Sequence, residues 1–359
     1  MPNATTDGPG ESPDGGAAKS LQSGAWPRII ASLLIGGGFV WLLTRGGLPL
    51  IPPKQALAQL PVGHVLAFCA LLMVGIALRT HRWTYLIKPI APEMPARRIM
   101  GVCMLGFAAV FLAPLRSGEL VRPYLISQGG RPTFMQATGS VAAERIIDGL
   151  MVTFFTFVSL SLATKISPLP SQLGDLPLPV AAVPAAAYGA LILFSCAFAG
   201  MTAFYVARGL AGRVTRKVVG LVSTRAAEFA AGTLERLADG LSFFPSRSTL
   251  LRFMSSTLLY WTCNILSQWV LLRGLGLDAS VAQAAACMGI QGLGSLVPAG
   301  PGMFGAFQIA GFSSLAMFFP MEQVKTVGAS FVFVAYTVSL VLNVLQVGGG
   351  LWLVSKAKT

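Results

Sequence analysis

Residues 111–125 read FLAPLRSGELVRPYL and place two arginines and a glutamate directly after an apolar run. Pro114 ends a helix, and Gly118 permits a turn that bulkier residues resist. A charged side chain at the centre of a bilayer costs about 2.5–3.5 kcal/mol on insertion scales, so charges at that depth usually have a function. If the rest of the chain is apolar enough, this stretch predicts a broken membrane helix that carries a polar site.

The composition is that of an integral membrane protein. Of 359 residues, 54% are hydrophobic and only 11% are charged, whereas soluble domains carry about 25% charged residues. The net charge of +13 fits cytoplasmic loops that meet anionic lipid headgroups better than it fits nucleic acid. The chain has two histidines and no CxxC pair, so we expect no metal and no cofactor.

The chain divides into a tail and one membrane domain. Residues 1–25 are rich in Gly, Pro, Ser and Asp and predict a disordered tail, and residues 26–359 predict a single domain. A full crossing needs about 20 residues. The apolar runs fall at about 29–44, 61–78, 99–114, 146–164, 179–207, 250–272, 281–297, 303–320 and 326–353. Two of the short runs end at a proline, Pro114 and Pro298.

The loop charges predict the topology. Loops 79–98 and 208–252 are strongly basic and are predicted to be cytoplasmic, whereas loops 165–178 and 273–280 each hold one basic and one acidic residue and are predicted to lie outside. The basic C-terminal end is predicted to be cytoplasmic, and so is the N-terminus.

Two segments, residues 99–132 and 281–320, then begin and end on the same side. We therefore predict an all-α polytopic protein with about six full transmembrane helices and two re-entrant helical hairpins of opposite orientation. Its location would be a bacterial inner membrane.

The two halves resemble an inverted repeat. When the halves are superimposed, Cys103-Met104 falls on Cys287-Met288. The predicted halves are residues 26–165 and 178–355, with a cytoplasmic amphipathic segment at 208–247. Inverted repeats with broken helices are typical of transporters.

The first hairpin carries the candidate residues Arg116, Gly118, Glu119 and Arg122. Arginine stays charged and pairs bidentately with phosphate, so two arginines in a membrane cavity predict a site for a lipid phosphate. The alternative is a structural ion pair between Glu119 and one of the arginines.

A second cluster, Glu144, Arg145 and Asp148, follows on one predicted helix. Glu144 and Asp148 share a face, and Arg145 lies within reach of Asp148. These residues are candidates to balance the hairpin arginines, to relay a proton or to hold a cationic headgroup.

The tip of the second hairpin, residues 296–308, is uncharged and rich in glycine and proline. Glycines let a ligand approach the backbone, and a helix that resumes near Met303 would offer free N–H groups to an anion. The alternative is tight packing through small residues. The candidate residues are Pro298, Pro301, Gly302, Gly305 and Gln308.

In order, the motifs Arg116-x-Gly118-Glu119-x-x-Arg122, Glu144-Arg145-x-x-Asp148 and Pro298-x-x-Pro301-Gly302-x-x-Gly305 resemble the lysylphosphatidylglycerol synthase transmembrane region family. The resemblance implies a flippase-like membrane domain. Relatives are associated with flipping aminoacylated phosphatidylglycerol, with polyprenyl-phosphate sugar pathways and with hopanoid transport. Many relatives carry a glutamate at the position of Gln308.

The leading hypothesis is a lipid translocase that moves a phospholipid, aminoacyl-phospholipid or polyprenyl-phosphate headgroup, with membrane lipids as its partners and no catalytic residue assigned. The bifunctional relatives add a soluble aminoacyl-tRNA-dependent domain, which we do not expect in a chain ending at Thr359. One alternative is a membrane partner of a separately encoded lipid-modifying or glycosyl-transfer enzyme. Another is an intramembrane lipid-phosphate enzyme.

Replacing Arg116 with alanine is expected to slow lipid movement, because the variant loses a guanidinium that binds the headgroup phosphate. The measurement is the rate at which labelled lipids cross the bilayer of vesicles that contain purified protein. Wild-type speed in Arg116→Ala would exclude this role.

Overall fold

The computed structural model describes residues 25–113, 118–221, 223–242, 246–297 and 299–357. Residues 1–24 of the predicted tail, and the candidates Arg116 and Pro298, lie outside these ranges. The described residues form fourteen α-helices and no β-strand, which confirms the all-α prediction. The helices are α1 Ala25–Arg45, α2 Lys54–Ala58, α3 Val62–Ile87, α4 Ala96–Leu112, α5 Val121–Ser127, α6 Phe134–Leu162, α7 Ala182–Val206, α8 Arg208–Gly220, α9 Thr224–Asp239, α10 Arg247–Gly274, α11 Val281–Gly294, α12 Ala306–Ala316, α13 Met321–Lys325 and α14 Val327–Ser355.

Four of these helices, α3, α6, α7 and α14, are long and apolar enough to cross a membrane. Their outer faces expose large apolar side chains, among them Leu66 at 63% and Ile192 at 66%. Soluble proteins rarely expose contiguous surfaces of this kind, whereas hydrocarbon favours them. The protein is therefore a multi-pass membrane protein.

Helices α4 and α5 form a tight antiparallel hairpin because two glycines allow close contact. A Cβ atom on Gly118 would lie 2.2 Å from the carbonyl carbon of Ala109, and one on Gly106 would lie 1.9 Å from Cγ of Arg122. Helix α5 has only seven residues, too few for an isolated helix to be stable in water. Its conformation therefore depends on packing against α4 and α6.

Helices α11 and α12 form the second hairpin. A Cβ atom on Gly294 would lie 2.4 Å from the Cβ atom of Ala310. Between the helices, a short 3-10 turn at Pro301–Met303 contains Gly302 with a φ of +69°. A Cβ atom on Gly302 would lie 3.8 Å from the ring of Phe111 on α4, so the tips of the two hairpins meet.

The apolar core is split into two parts, one at each end of the helix bundle. Helix α3 contributes Phe68 to one core and Trp83 to the other, and α10 contributes Leu271 and Phe253 in the same way. A small third cluster that includes Trp261 lies between them. The two large apolar clusters therefore lie toward the ends of the bundle, with the small third cluster in the middle.

The segment predicted as amphipathic forms two helices, α8 and α9. Arg216 of α8 makes an ion pair with Glu235 of α9 at 2.7 Å. Val218 and Phe229 are exposed at 58% and 73%. Helix α9 packs on the start of α6, where a Cβ atom on Gly139 would lie 2.3 Å from a backbone carbonyl oxygen. Its placement on the inner membrane surface stays a prediction.

Replacing Gly118 with alanine is expected to destabilise the first hairpin by about 1–3 kcal/mol, because the new methyl group meets backbone that cannot move aside. The apparent melting temperature of the purified protein in detergent measures the effect. Gly348→Ala on α14 is the matched control, because nothing lies within 4 Å of that position. Equal melting temperatures for the two variants would contradict the close approach.

Candidate functional site

A buried ion-pair network lies beside the first hairpin. Glu144 is fully buried, and its two carboxylate oxygens accept hydrogen bonds from two arginines. Arg122 Nη1 donates to Oε2 at 2.5 Å, and Arg82 Nη2 donates to Oε1 at 3.0 Å. Arg82 also donates to Asp148 Oδ2 at 2.5 Å and to Thr257 Oγ1 at 3.0 Å. The network thus joins α3, α5, α6 and α10.

Helix α3 runs further than the sequence predicts. It continues to Ile87, so Arg79 and Arg82 belong to a helix and not to the loop predicted at 79–98. Sequence reasoning missed both as site residues. Two signals were available: their three-residue spacing places them on one face, and the apolar run resumes with Trp83 and Leu86.

Three arginines surround the ring of Phe107 on α4. The guanidinium carbons of Arg79, Arg122 and Arg145 lie 3.4, 4.3 and 5.0 Å from the ring centroid. A cation near an aromatic ring gains from the ring quadrupole, and the gain is larger away from water. The ring therefore helps to hold like charges close together.

A cavity of about 580 Å³ opens next to this network, between the two hairpins. Residues of α3, α4, α6, α7, α10, α11, α12 and α14 line it, and both apolar and neutral polar side chains contribute. Within the described ranges, no group of three His, Cys, Asp or Glu side chains is placed to hold a metal ion. Among the residues that the structure describes, the charged ones that line the cavity are Arg79, Glu119, Arg145 and Asp148.

The network and the cavity wall together carry excess positive charge. Among the described residues, the network and the cavity wall contain four guanidinium groups and three carboxylates. Arg145 Nε lies 3.2 Å from Glu119 Oε2. Arg79 Nε and Arg145 Nη2 are buried and make no hydrogen bond within the described part of the chain. The site therefore offers unused charged donors that suit an anion.

The structure divides the predicted residues of the first half into two groups. Glu119, Arg145 and Asp148 line the cavity. Arg122 and Glu144 are fully buried and are not among the residues that line it. Arg145 pairs with Glu119 and not with Asp148 as the spacing suggested, and Asp148 pairs with Arg82 instead. Gly118 serves the close packing of the hairpin.

The second hairpin differs from the prediction in its details. Helix α12 begins at Ala306 and not near Met303, because Gly302 and Gly305 take positive φ values. Gln308 is buried, and its Oε1 accepts a hydrogen bond from the Gly305 backbone N–H at 2.7 Å. The amide at the start of this helix is therefore occupied by the chain itself.

Of the other predicted residues of this tip, the three that the structure describes do not line the cavity. Pro301 is exposed, whereas Gly302 and Gly305 are buried within the tip. Met303 and Phe307 line the cavity in their place.

The profile of the lysylphosphatidylglycerol synthase TM region matches residues 29–344, nearly the whole chain. The chain belongs to this family. It is also similar to the glycosyltransferase AglD of Haloferax volcanii, with 24% identity over 327 residues. That match covers 85% of this chain but 52% of AglD, so the chain spans about half the length of this curated relative. No solved structure matches the chain.

Replacing Glu144 with glutamine is expected to destabilise the protein by about 3–5 kcal/mol, because the buried guanidinium of Arg122 loses its carboxylate and that of Arg82 keeps only Asp148. The loss is measured as a drop in apparent melting temperature in detergent. Glu235→Gln removes an exposed ion-pair partner and is expected to cost less than about 1 kcal/mol. Similar losses in both variants would show that the buried network does not hold the bundle together.

Proposed function

We propose that this protein is a lipid translocase that moves a phosphate-bearing lipid headgroup across the bilayer through the cavity between the two hairpins. One observation carries the proposal. Two arginines, Arg79 and Arg145, line a cavity inside a membrane protein and keep buried N–H groups that have no hydrogen-bond partner in the described part of the chain. Buried polar groups in apolar surroundings rarely lack a hydrogen-bond partner unless a ligand or water supplies one.

The chemistry of these arginines suits a phosphate. A guanidinium is planar, stays charged and donates in pairs to phosphate oxygens. Arg122 was predicted to bind the phosphate, but its guanidinium forms an ion pair with Glu144. We assign the phosphate instead to Arg79 and Arg145, while Arg82 and Arg122 hold the helices in place.

We propose that the chain lies in a bacterial cytoplasmic membrane with six full spans, two re-entrant hairpins and cytoplasmic termini. The broken helices α4, α11 and α12 support this, because each is shorter than the roughly 20 residues of a crossing. The meeting of the hairpin tips beside the cavity resembles the midplane sites of inverted-repeat transporters.

A second candidate function is that of a membrane partner for a separately encoded glycosyl-transfer enzyme. The half-length match to a protein named a glycosyltransferase favours it. An intramembrane enzyme is less well supported, since Glu119, Glu144 and Asp148 each pair with an arginine. In vesicles, a translocase moves labelled lipid without chemical change. A partner subunit neither moves nor modifies the lipid until its enzyme is added.

Replacing Arg79 or Arg145 with glutamine is expected to slow movement of labelled phosphatidylglycerol at least about tenfold, because each variant loses charged hydrogen bonds to phosphate. Reconstituted vesicles with equal amounts of protein give the rates. Arg225→Gln on the exposed surface of α9 is the control and is expected to leave the rate unchanged. If both cavity variants matched the control, the proposed phosphate site would be excluded.

The topology is tested by placing single cysteines in a variant whose own five cysteines are replaced by alanine. Glu93→Cys and Arg131→Cys flank the first hairpin, and Asp278→Cys and Glu322→Cys flank the second. With a membrane-impermeant maleimide, we expect the first pair to label only from the cytoplasmic side and the second pair only from outside. If either pair labelled from opposite sides, that hairpin would cross the membrane and the proposed topology would be wrong.

A further inference from the structure

The cavity has a second wall that is polar but uncharged. Helices α10, α11 and α14 supply it, and the described lining residues on these helices include no charged side chain. The neutral polar side chains on this wall are Asn264, Gln268, Gln291, Ser339, Asn343 and Gln346.

Some of these amides are satisfied within the protein. Asn264 Nδ2 donates to the Tyr260 carbonyl oxygen at 2.8 Å, and Gln346 Nε2 donates to Asn343 Oδ1 at 3.3 Å. Such side chains need no ligand to account for them.

Gln291 and Trp261 are different. Gln291 is only 5% exposed, and neither its Oε1 nor its Nε2 has a hydrogen-bond partner within the described residues. Trp261 is 9% exposed, and its indole N–H is likewise unpaired there. Burying a polar group without a partner costs about 1–3 kcal/mol, so these groups indicate a ligand that completes them.

The wall extends away from the arginines. The guanidinium of Arg79 lies over the ring of Tyr260, with 5.5 Å between guanidinium carbon and ring centroid. Trp261 and Gln268 follow on the same helix, and Gln268 lies about 12 Å further along its axis. At about 580 Å³ the cavity falls in the size range of small-molecule sites. A phosphate bound by Arg79 therefore leaves room for a further group along α10.

The chemistry of that group follows from the donors and acceptors. Gln291 offers an acceptor and two donors, and Trp261 offers one donor. Hydroxyl groups both donate and accept, so a polyol can satisfy both residues. An ammonium group only donates, and it would need a free carboxylate. The charge of Glu119 is balanced by Arg145 and that of Asp148 by Arg82, although Asp148 Oδ1 itself accepts no hydrogen bond within the described residues. An ammonium group also has no acceptor for the indole N–H of Trp261, whereas a hydroxyl group has one.

We infer that the cavity takes a phosphodiester lipid whose headgroup is a neutral polyol, and that Gln291 and Trp261 select it over an ammonium headgroup. The inference rests on the proposed function, because it takes the phosphate to lie at Arg79 and Arg145. It adds the class of substrate and two specificity-determining residues.

Binding of short-chain lipids to the purified full-length protein in detergent tests the inference. The probes are dihexanoyl phosphatidylmethanol, phosphatidylglycerol, phosphatidylinositol and phosphatidylethanolamine. Phosphatidylmethanol carries the same single negative charge as the two polyol lipids but has no hydroxyl group. We expect wild type to bind at least one polyol lipid five to ten times more tightly than phosphatidylmethanol, as roughly one or two net hydrogen bonds would give. The glycerol and inositol probes show which polyol fits.

Gln291→Leu and Trp261→Phe are expected to lose most of this preference while keeping the affinity for phosphatidylmethanol. Gln323→Leu, an exposed glutamine on α13, is the matched control and is expected to keep it. The melting temperature of each variant establishes whether it is folded. If one of the two variants does not fold, the other alone tests the inference.

Three results would overturn the inference: no preference for a polyol in wild type, an unchanged preference in the folded variants, or tightest binding of phosphatidylethanolamine. Any of these three results would still be compatible with the proposed phosphate site if phosphatidylmethanol binds to wild type and binds more weakly to Arg145→Gln. If wild type binds none of the four lipids, the proposed function fails and this inference fails with it.

Discussion

The carboxylate of Glu144 is the group on which the centre of this protein depends. It is buried, and it receives Arg82 from α3 and Arg122 from α5, one on each oxygen. Removing two guanidinium groups and a carboxylate from water is costly, and only close pairing with well-formed hydrogen bonds offsets that cost. The geometry of three helices is therefore set at this point. Thr257 of α10 brings in a fourth helix through Arg82.

The first hairpin is arranged around this interaction. Helix α5 is too short to be stable alone, and the side chain of Arg122 reaches Glu144 by passing directly over Gly106. Any Cβ atom at Gly106 would occupy the path of that side chain. Gly106 and the Arg122–Glu144 ion pair thus act together to hold α5 against α4. This arrangement places Phe107 where it contacts three guanidinium groups.

The arginines consequently have two different roles. Arg82 and Arg122 are paired with carboxylates and are nearly inaccessible, so they maintain structure. All four arginines have N–H groups without a hydrogen-bond partner among the described residues, but only those of Arg79 and Arg145 belong to residues that line the cavity, where a ligand can reach them. The carboxylates that balance the first pair also allow the second pair to come close without prohibitive repulsion. On the opposite wall, neutral amides replace charges, so the cavity has one end suited to an anion and another suited to hydroxyl groups.

The sequence by itself determined the helical class, the two helix breaks and the concentration of charge at Arg122, Glu144 and Asp148. These features could be predicted because hydrophobic periodicity, proline and glycine act on the local chain and can be recognised in a single sequence. Only the tertiary structure decided which charges pair, since Glu144 meets Arg82 across 62 residues of sequence. It alone also showed that Gln308 is used to cap its own helix and that, among the described residues, the side chains of Gln291 and Trp261 have no hydrogen-bond partner. Those outcomes depend on which helices become neighbours, and spacing along the chain does not encode distances between helices that pack side by side.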